Sequence, residues 1–221
     1  LNRVAALPQG RVQLALAEVD AITLDEYAQE AAFADENSLQ AYRINTYTDD
    51  AAAKTAVADI YARFRNTVKA QRTKNADMTY AIADPSFEHG IDGAWTFDEF
   101  TSTDWGENDV FAEDRFIFTG STGRKVFNTW QGGNASGPIS QTITGIPNGR
   151  YLVTAVMASD KNIAVLTANG VESPNVALYN ADNNIGELVS VETDVTDHTL
   201  AISAQAKDGK WYKVDNFHLT F

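Results

Sequence analysis

The stretch Ile139–Ala158, ISQTITGIPNGRYLVTAVMA, determines the fold class of the second half of the chain. Its first part, Ile139–Ile146, is rich in β-formers and ends at the turn signal Pro147-Asn148-Gly149. From Tyr151 to Ala158 the side chains can be divided into two alternating faces, which is the period of two that a β-strand produces. The stretch therefore predicts two strands joined by a turn.

Further β-rich runs lie on both sides of this pair, separated by turn signals at short intervals. Asn169-Gly170 is a strong hairpin turn, and Lys207–Lys210 turns the chain into its last run. This spacing is typical of a β-sandwich, and no βαβ rhythm or glycine-rich phosphate loop suggests a nucleotide-binding fold. The other predicted strands are Val110–Thr119, Lys125–Trp130, Asn162–Ala168, Leu188–Val195, Thr199–Ala206 and Trp211–Phe221.

The first 80 residues predict helices instead. One helix is expected over Gln9–Asp20, and the capping box Thr23–Glu26 predicts a second that runs toward Ala34. A third is expected over Asp49–Arg72 with Thr48 as its N-cap, because apolar side chains recur there at helical spacing. These apolar residues are Val57, Ile60, Tyr61, Phe64 and Val68.

The predicted fold class is therefore α+β. We expect an N-terminal helical hairpin or small bundle in residues 1–78, followed by a β-sandwich jelly roll in residues 79–221. The helical core would be thin, so we expect the helices to lean on the sandwich.

Charge and cysteine content exclude several functions. The chain has 221 residues, no cysteine and a formal net charge of −13. Residues 1–80 carry 9 Lys+Arg and 11 Asp+Glu, whereas residues 81–221 carry 8 and 19, so the net charges are −2 and −11. This balance excludes nucleic acid as the main partner, and the missing cysteines exclude disulfides and cysteine-bound zinc. No apolar run approaches the roughly 20 residues of a membrane span, so no membrane insertion is expected.

Three motifs mark the beginning, middle and end of the β part: Asp84–Trp95 (DPSFEHGIDGAW), Ile139–Tyr151 and Trp211–Leu219 (WYKVDNFHL). In this order they resemble carbohydrate-binding modules with a galactose-binding-like jelly roll, found in surface glycan-utilisation proteins of Gram-negative bacteria. The resemblance covers roughly residues 80–221. It implies non-catalytic binding of a glycan or oligosaccharide by a secreted or cell-surface protein, or by a periplasmic one, beside other domains of a longer chain.

The resemblance also implies a structural Ca²⁺ at Glu88 and Asp215. In the resembled fold the first and last strands are neighbours, and the matching positions often hold this ion. Calcium takes about six to eight oxygen ligands, so loop carbonyls would complete its shell. In the alternative interpretation, Asp215 makes strand-end hydrogen bonds and Glu88 is a solvated carboxylate.

Aromatic and amide side chains in polar loops are the candidates for sugar binding, because sugar rings stack on aromatic faces while their hydroxyls bond to amides. The predicted sugar-binding residues are Trp130, Gln131 and Asn134, joined by Trp105, Tyr179 and Asn180. The alternative for Trp130 is that it ends a core strand. Trp95 is predicted to fill the core, and Trp211 fits the core or the rim equally well.

Two other functions stay open at this point. A structural or protein-interaction module would keep the sandwich without a sugar site. A small glycoside hydrolase would need two carboxylates at a set separation, which the acidic run Asp98–Asp114 contains. We favour a solvated acidic face or a second cation site for that run and predict no enzymatic activity. His89 and His218 are expected to be structural or exposed.

Overall fold

The computed structural model describes residues 7–91, 93–97, 111–113, 118–129, 137–159, 164–174, 185–207 and 211–221, with side chains at all of them except 31–38 and 111–113. The helices are α1 (Pro8–Asp20), α2 (Glu26–Ile44), α3 (Asp50–Val68) and a 3₁₀ turn (Thr79–Ala81). The strands are β1 (Thr96–Phe97), β2 (Phe111–Glu113), β3 (Lys125–Asn128), β4 (Ile139–Thr144), β5 (Gly149–Ser159), β6 (Ala164–Ala168), β7 (Val171–Glu172), β8 (Glu187–Val195), β9 (Thr199–Ala206) and β10 (Tyr212–Thr220).

The strands form two antiparallel sheets of five strands each. One sheet has the order β1-β4-β9-β6-β7 and the other β2-β3-β10-β5-β8. The two strands of the stretch Ile139–Ala158 therefore lie in different sheets, and the turn between them carries the chain across the sandwich. The predicted turn Asn169-Gly170 joins β6 to β7 as a two-residue hairpin in which Ala168 pairs with Val171. The structure is thus mostly β, with helices at its N-terminal side.

The predicted alternation along β5 sets which face meets the core. Tyr151, Val153 and Ala155 are buried, whereas Leu152 is exposed. The two sheets are also joined by a polar contact at Tyr212 of β10. Its hydroxyl accepts a hydrogen bond from the Ile139 N–H at 3.1 Å and lies 2.9 Å from the Ala204 carbonyl, both in the opposite sheet. A buried tyrosine needs such partners, because its hydroxyl would otherwise lose its bonds to water.

The strand limits differ from prediction mainly at the run Val110–Thr119. Phe111–Glu113 is a strand, but Thr119 makes only an isolated parallel bridge to Ile185. A β-rich composition favours extended backbone, and whether a neighbouring strand is available for pairing depends on the rest of the chain.

The helices bury the predicted apolar faces, but two of their predicted starts are wrong. α2 begins after Asp25, whose carboxylate accepts the Ala28 N–H at 2.9 Å, so Thr23 is not its cap. α3 begins after Asp49, which accepts the Ala52 N–H at 2.8 Å, and not after Thr48. In both cases an aspartate closer to the helix supplies the capping oxygen.

The helix ends differ too. α2 continues to Ile44, well past Ala34, and α3 ends at Val68. The predicted last residue of α3, Arg72, donates its N–H to the Asp25 carboxylate at 2.6 Å instead.

One buried cluster runs from the helices into the sandwich. It includes Val12 and Phe64 on the helices, Met78 and Ile82 in the connection, and Phe217 on β10. The connection runs beside the last strand: the Met78 N–H donates to the Leu219 carbonyl at 2.8 Å. The helices lean on the sandwich as expected. The proposed domain limit at residue 78 stays a prediction.

Candidate functional site

The predicted sugar-binding residues lie outside the residues that the structure describes. This applies to Trp105, Trp130, Gln131, Asn134, Tyr179 and Asn180, so these assignments remain predictions. The described neighbours of the Trp130 loop are nonetheless informative. Thr129 and Tyr212 exchange hydrogen bonds, with the Thr129 N–H 3.0 Å from the Tyr212 carbonyl. The Tyr212 hydroxyl also lies 2.8 Å from the Gly137 carbonyl. The described residues on either side of this predicted site, Thr129 and Gly137, therefore both bond to Tyr212 at the start of β10.

The two described tryptophans have different surroundings. Trp95 is 7% exposed, and its indole N–H donates to the Asp84 carbonyl at 2.9 Å, so it fills the core as predicted. Trp211 is half-buried, and the Lys213 ammonium lies 5.9 Å from its ring centroid. Trp211 therefore lies at the rim of the sandwich, next to Tyr212, which bonds to both Thr129 and Gly137.

Glu88 and Asp215 hold the same loop, Thr122–Lys125, from its two sides. The Asp215 Oδ2 accepts the Thr122 N–H at 2.7 Å. The Glu88 Oε1 accepts the Arg124 N–H at 2.7 Å and also the Lys125 N–H. Between them Gly123 has a φ of +67°, and a Cβ there would overlap the Glu88 carboxyl group. Glu88 is thus more than a solvated carboxylate: residues from opposite ends of the β part meet at this loop.

The surroundings of Asp215 are unfavourable for a charged carboxylate. It is fully buried, and its Oδ1 has no hydrogen-bond partner among the described residues. Burial raises the pKa of Asp215 to about 7, even though the N–H groups of Thr122 and Asn216 lower it. The nearby charges of Glu88 and Asp84 raise it further. A buried oxygen without a partner is costly, and a bound cation would remove that cost.

The donor atoms here suit a hard cation. Carboxylate oxygens from Glu88 and Asp215 are ligands that calcium prefers, and the loop between them offers main-chain carbonyls. Over the described ranges no group of three or more Asp, Glu or His side chains gathers as a ligand set. A calcium ion at this loop would therefore need main-chain oxygens to complete its shell.

A second polar cluster joins α1 to the start of the sandwich. The His89 ring lies between two carboxylates, with Nδ1 3.4 Å from Asp84 Oδ1 and Nε2 3.4 Å from Glu18 Oε2. Tyr61 donates its hydroxyl to Glu18 at 2.5 Å, and Tyr80 donates to the other oxygen of the same carboxylate. The His89 ring also packs on Tyr61, with 3.9 Å between ring centroids. We call these five residues the Glu18 cluster.

The charges within the Glu18 cluster are fixed by their surroundings. Burial alone would lower the pKa of His89, but Asp84 and Glu18 outweigh it and raise that pKa to about 9. Burial likewise opposes ionisation of Glu18, yet the bonds from His89, Tyr61 and Tyr80 lower its pKa to about 2. At neutral pH a protonated histidine thus lies between ionised carboxylates. This is an ion-pair network between elements, and not the free base that general-base catalysis requires.

Sequence reasoning predicted a structural or exposed role for His89 and missed its partners. Asp84 could have been found from the sequence, because it lies in the same motif as His89. In the structure it accepts the main-chain N–H of His89 at 3.0 Å. Glu18 was not, because it comes from a helix that is distant in sequence. His218, by contrast, is exposed, with its Nδ1 3.2 Å from the Thr79 hydroxyl.

Glu18 and Glu88 line one concavity of about 450 Å³, which bears on the hydrolase alternative. A glycoside hydrolase needs one carboxyl group kept protonated by an apolar niche. Glu18 has the opposite surroundings, because three donors hold it ionised. Glu88 has an oxygen occupied by two main-chain N–H groups. This pair therefore lacks the arrangement that acid–base hydrolysis requires. The acidic run Asp98–Asp114 has no described side chains.

Comparison with known proteins finds solved structures of low similarity, and three of them are carbohydrate-binding modules. No protein-family model matches the chain, and no curated protein sequence matches it. TmCBM61, solved in complex with beta-1,4-galactotriose, is 19% identical, with 66% of this chain and 98% of that module covered at a TM-score of 0.39. A family 35 carbohydrate-binding module from an environmental isolate is 13% identical, with 59% and 90% covered and a TM-score of 0.40. The CBM35 of Cellvibrio japonicus Abf62 is 15% identical, with 58% and 88% covered and a TM-score of 0.39. In the part of the chain that is described, no helix has the length and apolar character needed to cross a membrane.

Proposed function

We propose that this protein binds glycans without catalysis, as a module of a secreted or cell-surface protein. The observation that carries the proposal is the meeting of the first and last motifs of the sandwich. The Phe217 N–H donates to the Pro85 carbonyl at 3.0 Å, and Phe87 packs edge-on against Phe217 at 6.2 Å. The sequence resemblance to carbohydrate-binding modules requires this neighbourhood of the first and last segments.

The sugar site that fits this proposal is the Trp130 loop. A sugar ring would stack on the Trp130 indole, and its hydroxyls would bond to the Gln131 and Asn134 amides. The affinity is expected to be modest, because a shallow loop site buries little surface and the sugar must first lose bound water.

Replacing Trp130 tests the site. Trp130→Ala should abolish retention on a glycan that binds the wild-type protein, because the stacking surface is lost. Tyr27→Ala is a matched control, since Tyr27 is an aromatic residue 52% exposed on α2. Binding would be measured on immobilised glycans and unfolding by calorimetry. Retained binding, or a large loss of stability in Trp130→Ala, would contradict the assignment, the second because it would place Trp130 in the core.

We also propose that Glu88 and Asp215 contribute to a structural calcium site. The unpartnered Asp215 Oδ1 supports this, as does the loop that both carboxylates hold. The ion would fix the Thr122–Lys125 loop to the last strand and take no part in a reaction.

Chelation tests the calcium site. At a calcium concentration about 100 times the Kd, binding stabilises the folded state by about 2.7 kcal/mol, so a chelator should lower the melting temperature by about 5–11 °C. The variant Asp215→Asn should lose this response, while Asp197→Asn, an exposed residue distant from the loop, should keep it. An unchanged melting temperature after chelation of the wild-type protein would rule the site out.

A further inference from the structure

A second concavity, of about 530 Å³, lies where β10 ends. Three cationic side chains line it, Arg72, Lys74 and Arg150, together with one carboxylate, Glu192. In a chain of net charge −13 this is a local excess of positive charge, with three cations against one lining acid. Asp194, outside the lining, also acts on Arg150. We call this concavity the β10-end pocket.

Arg72 is held in place by its own segment of chain. Its Nη1 donates to the Lys69 carbonyl at 2.9 Å and to the Gln71 carbonyl at 2.8 Å. Its main-chain N–H is bound by the Asp25 carboxylate at 2.6 Å. The guanidinium is therefore pre-positioned, and its Nη2 meets no acceptor among the described residues.

The other two cations also keep donors available. The Nε and Nη2 of Arg150 both donate hydrogen bonds to the same oxygen of Glu192, the first at 3.1 Å. The Nη1 of Arg150 has no acceptor among the described residues. Its side chain is 68% exposed. The Lys74 ammonium has no acceptor in the described part of the chain. Each free Nη carries two N–H groups and the ammonium three, so the pocket presents several unused charged donors.

An aromatic ring, that of Phe221, also lines the β10-end pocket. Phe221 is half-buried and packs on Tyr151, with 5.0 Å between ring centroids. Its main chain is fixed on both sides, by the Asn75 N–H to the Phe221 carbonyl at 2.6 Å and by the Phe221 N–H to Ala76 at 3.1 Å. Gly149 lies against the ring, where any Cβ would overlap it. The ring is thus a rigid, partly open apolar surface beside three cations.

The β10-end pocket lies at the opposite end of β10 from the described residues that flank the predicted Trp130 site. Those residues, Thr129 and Gly137, bond to Tyr212, the first residue of β10, whereas the pocket lies at Thr220 and Phe221. The nine residues of β10 span about 25 Å at the usual rise of a strand. A sugar unit that packs on Phe221 therefore lies about the length of β10 away from Thr129 and Tyr212.

We propose that the β10-end pocket binds an acidic oligosaccharide. Carboxylate or sulfate groups of the sugar bond to Arg72, Lys74 and Arg150, because charge-assisted bonds to such groups are the strongest these side chains make. The apolar face of a sugar ring packs on Phe221. The volume and the aromatic ring in the lining favour an oligosaccharide over a small inorganic anion, which would use the cations alone. This site is independent of the proposed glycan site at Trp130.

The test uses the full chain carrying Trp130→Ala, so that binding at the first site does not contribute. The probe is a hexamer of galacturonic acid, titrated calorimetrically at low and high salt. Its methyl-esterified form supplies the same backbone without charge. A sulfated hexasaccharide separates sulfate from carboxylate recognition, and inorganic sulfate measures the anion effect alone. The pocket variant is Lys74→Gln with Arg150→Gln, both at exposed positions. Lys207→Gln is the matched control, because it breaks another exposed ion pair, Lys207–Glu172 at 2.7 Å.

One or both acidic hexasaccharides should bind, and the pocket variant should weaken that binding at least about tenfold while Lys207→Gln leaves it unchanged. High salt should weaken binding too, since screening acts on exposed charges. Equal binding of the methyl-esterified hexamer would overturn the proposal, as would equal competition by inorganic sulfate. Acidic binding that survives in the pocket variant would overturn it as well. Failure of the proposed glycan site gives a different result, namely no difference between wild type and Trp130→Ala on neutral glycans.

Discussion

Removing the charge of Glu18 tests how the helices are attached to the sandwich. Glu18 of α1 receives the hydroxyls of Tyr61 and Tyr80 and faces His89 at 3.4 Å. Glu18→Gln keeps the shape of the side chain but replaces one acceptor oxygen with a donor and removes the charge. The variant therefore changes the Glu18 cluster without opening a cavity.

The expected loss follows from the bonds and the exposure of this side chain. A hydrogen bond to a charged group contributes about 1.5–3 kcal/mol. Glu18 is 41% exposed, so water screens part of its interaction with His89. We therefore expect Glu18→Gln to lower the free energy of unfolding by about 2 kcal/mol. For a chain of this size that corresponds to a melting temperature about 4–8 °C lower.

The assay is urea unfolding of four proteins: wild type, Glu18→Gln, Tyr80→Phe and the double variant. Because Tyr80 donates to Glu18, the two changes should be coupled by about 1 kcal/mol. Glu30→Gln, an exposed change on α2, should stay within about 0.5 kcal/mol of wild type.

The pH dependence of this stability difference distinguishes an ionic contribution of Glu18 from a packing effect. The pKa of Glu18 in the folded protein is lowered to about 2 from its usual 4.5. Its contribution is therefore present above pH 4.5 and is lost as the pH falls toward 2. The difference in stability between wild type and Glu18→Gln should shrink over this window. A constant difference from pH 6 to pH 3, or no coupling to Tyr80→Phe, would refute the ionic attachment of the helices.

Two further changes probe the sandwich. Gly123→Ala and Gly145→Ala both place a side chain at positive φ, +67° and +79° respectively. Each change should lower the free energy of unfolding by about 1–2 kcal/mol for this reason. Only Gly123 also lies against Glu88. Gly123→Ala should therefore cost about 2 kcal/mol more in urea unfolding, and equal losses would show that Glu88 does not hold this loop. Gln141→Leu removes the bonds of one amide to the main chain of Ala83 (2.7 and 2.9 Å) and Ala94 (2.8 Å), which should cost about 2–4 kcal/mol. A loss near zero by calorimetry would contradict that role of the amide.

The strands could largely be predicted from the sequence because alternation is a local signal. β5 and β9 lie close to their predicted limits, and β5 shows the predicted alternation from Tyr151 to Ala155. The sheet to which a strand belongs is a long-range property. Ile139–Ala158 reads as one pair of strands, yet β4 pairs with β9 and β5 pairs with β10 and β8. A turn signal predicts only that the chain reverses, whereas the strands that pair with β4 and β5 depend on the packing of the whole core.

The same difference between local and long-range signals decides which candidate sites could be predicted. Glu88 and Asp215 were found from motifs, since each lies in a recognisable stretch of sequence. The β10-end pocket was not, because Arg72, Arg150 and Phe221 come from three distant segments that meet only after folding. The helix starts were misplaced for a smaller reason: Asp25 and Asp49 lie within two residues of the predicted caps, and which oxygen reaches the first helical N–H groups depends on backbone angles.

The most direct measurement of glycan binding without catalysis is a titration that also recovers the ligand. The wild-type protein would be screened against a glycan array with and without calcium, and the retained glycan would then be incubated with the protein and analysed by mass. Glycan binding without cleavage predicts saturable binding of a glycan that is recovered intact at its original length. Failure to retain any glycan, or recovery of shortened chains, would contradict it.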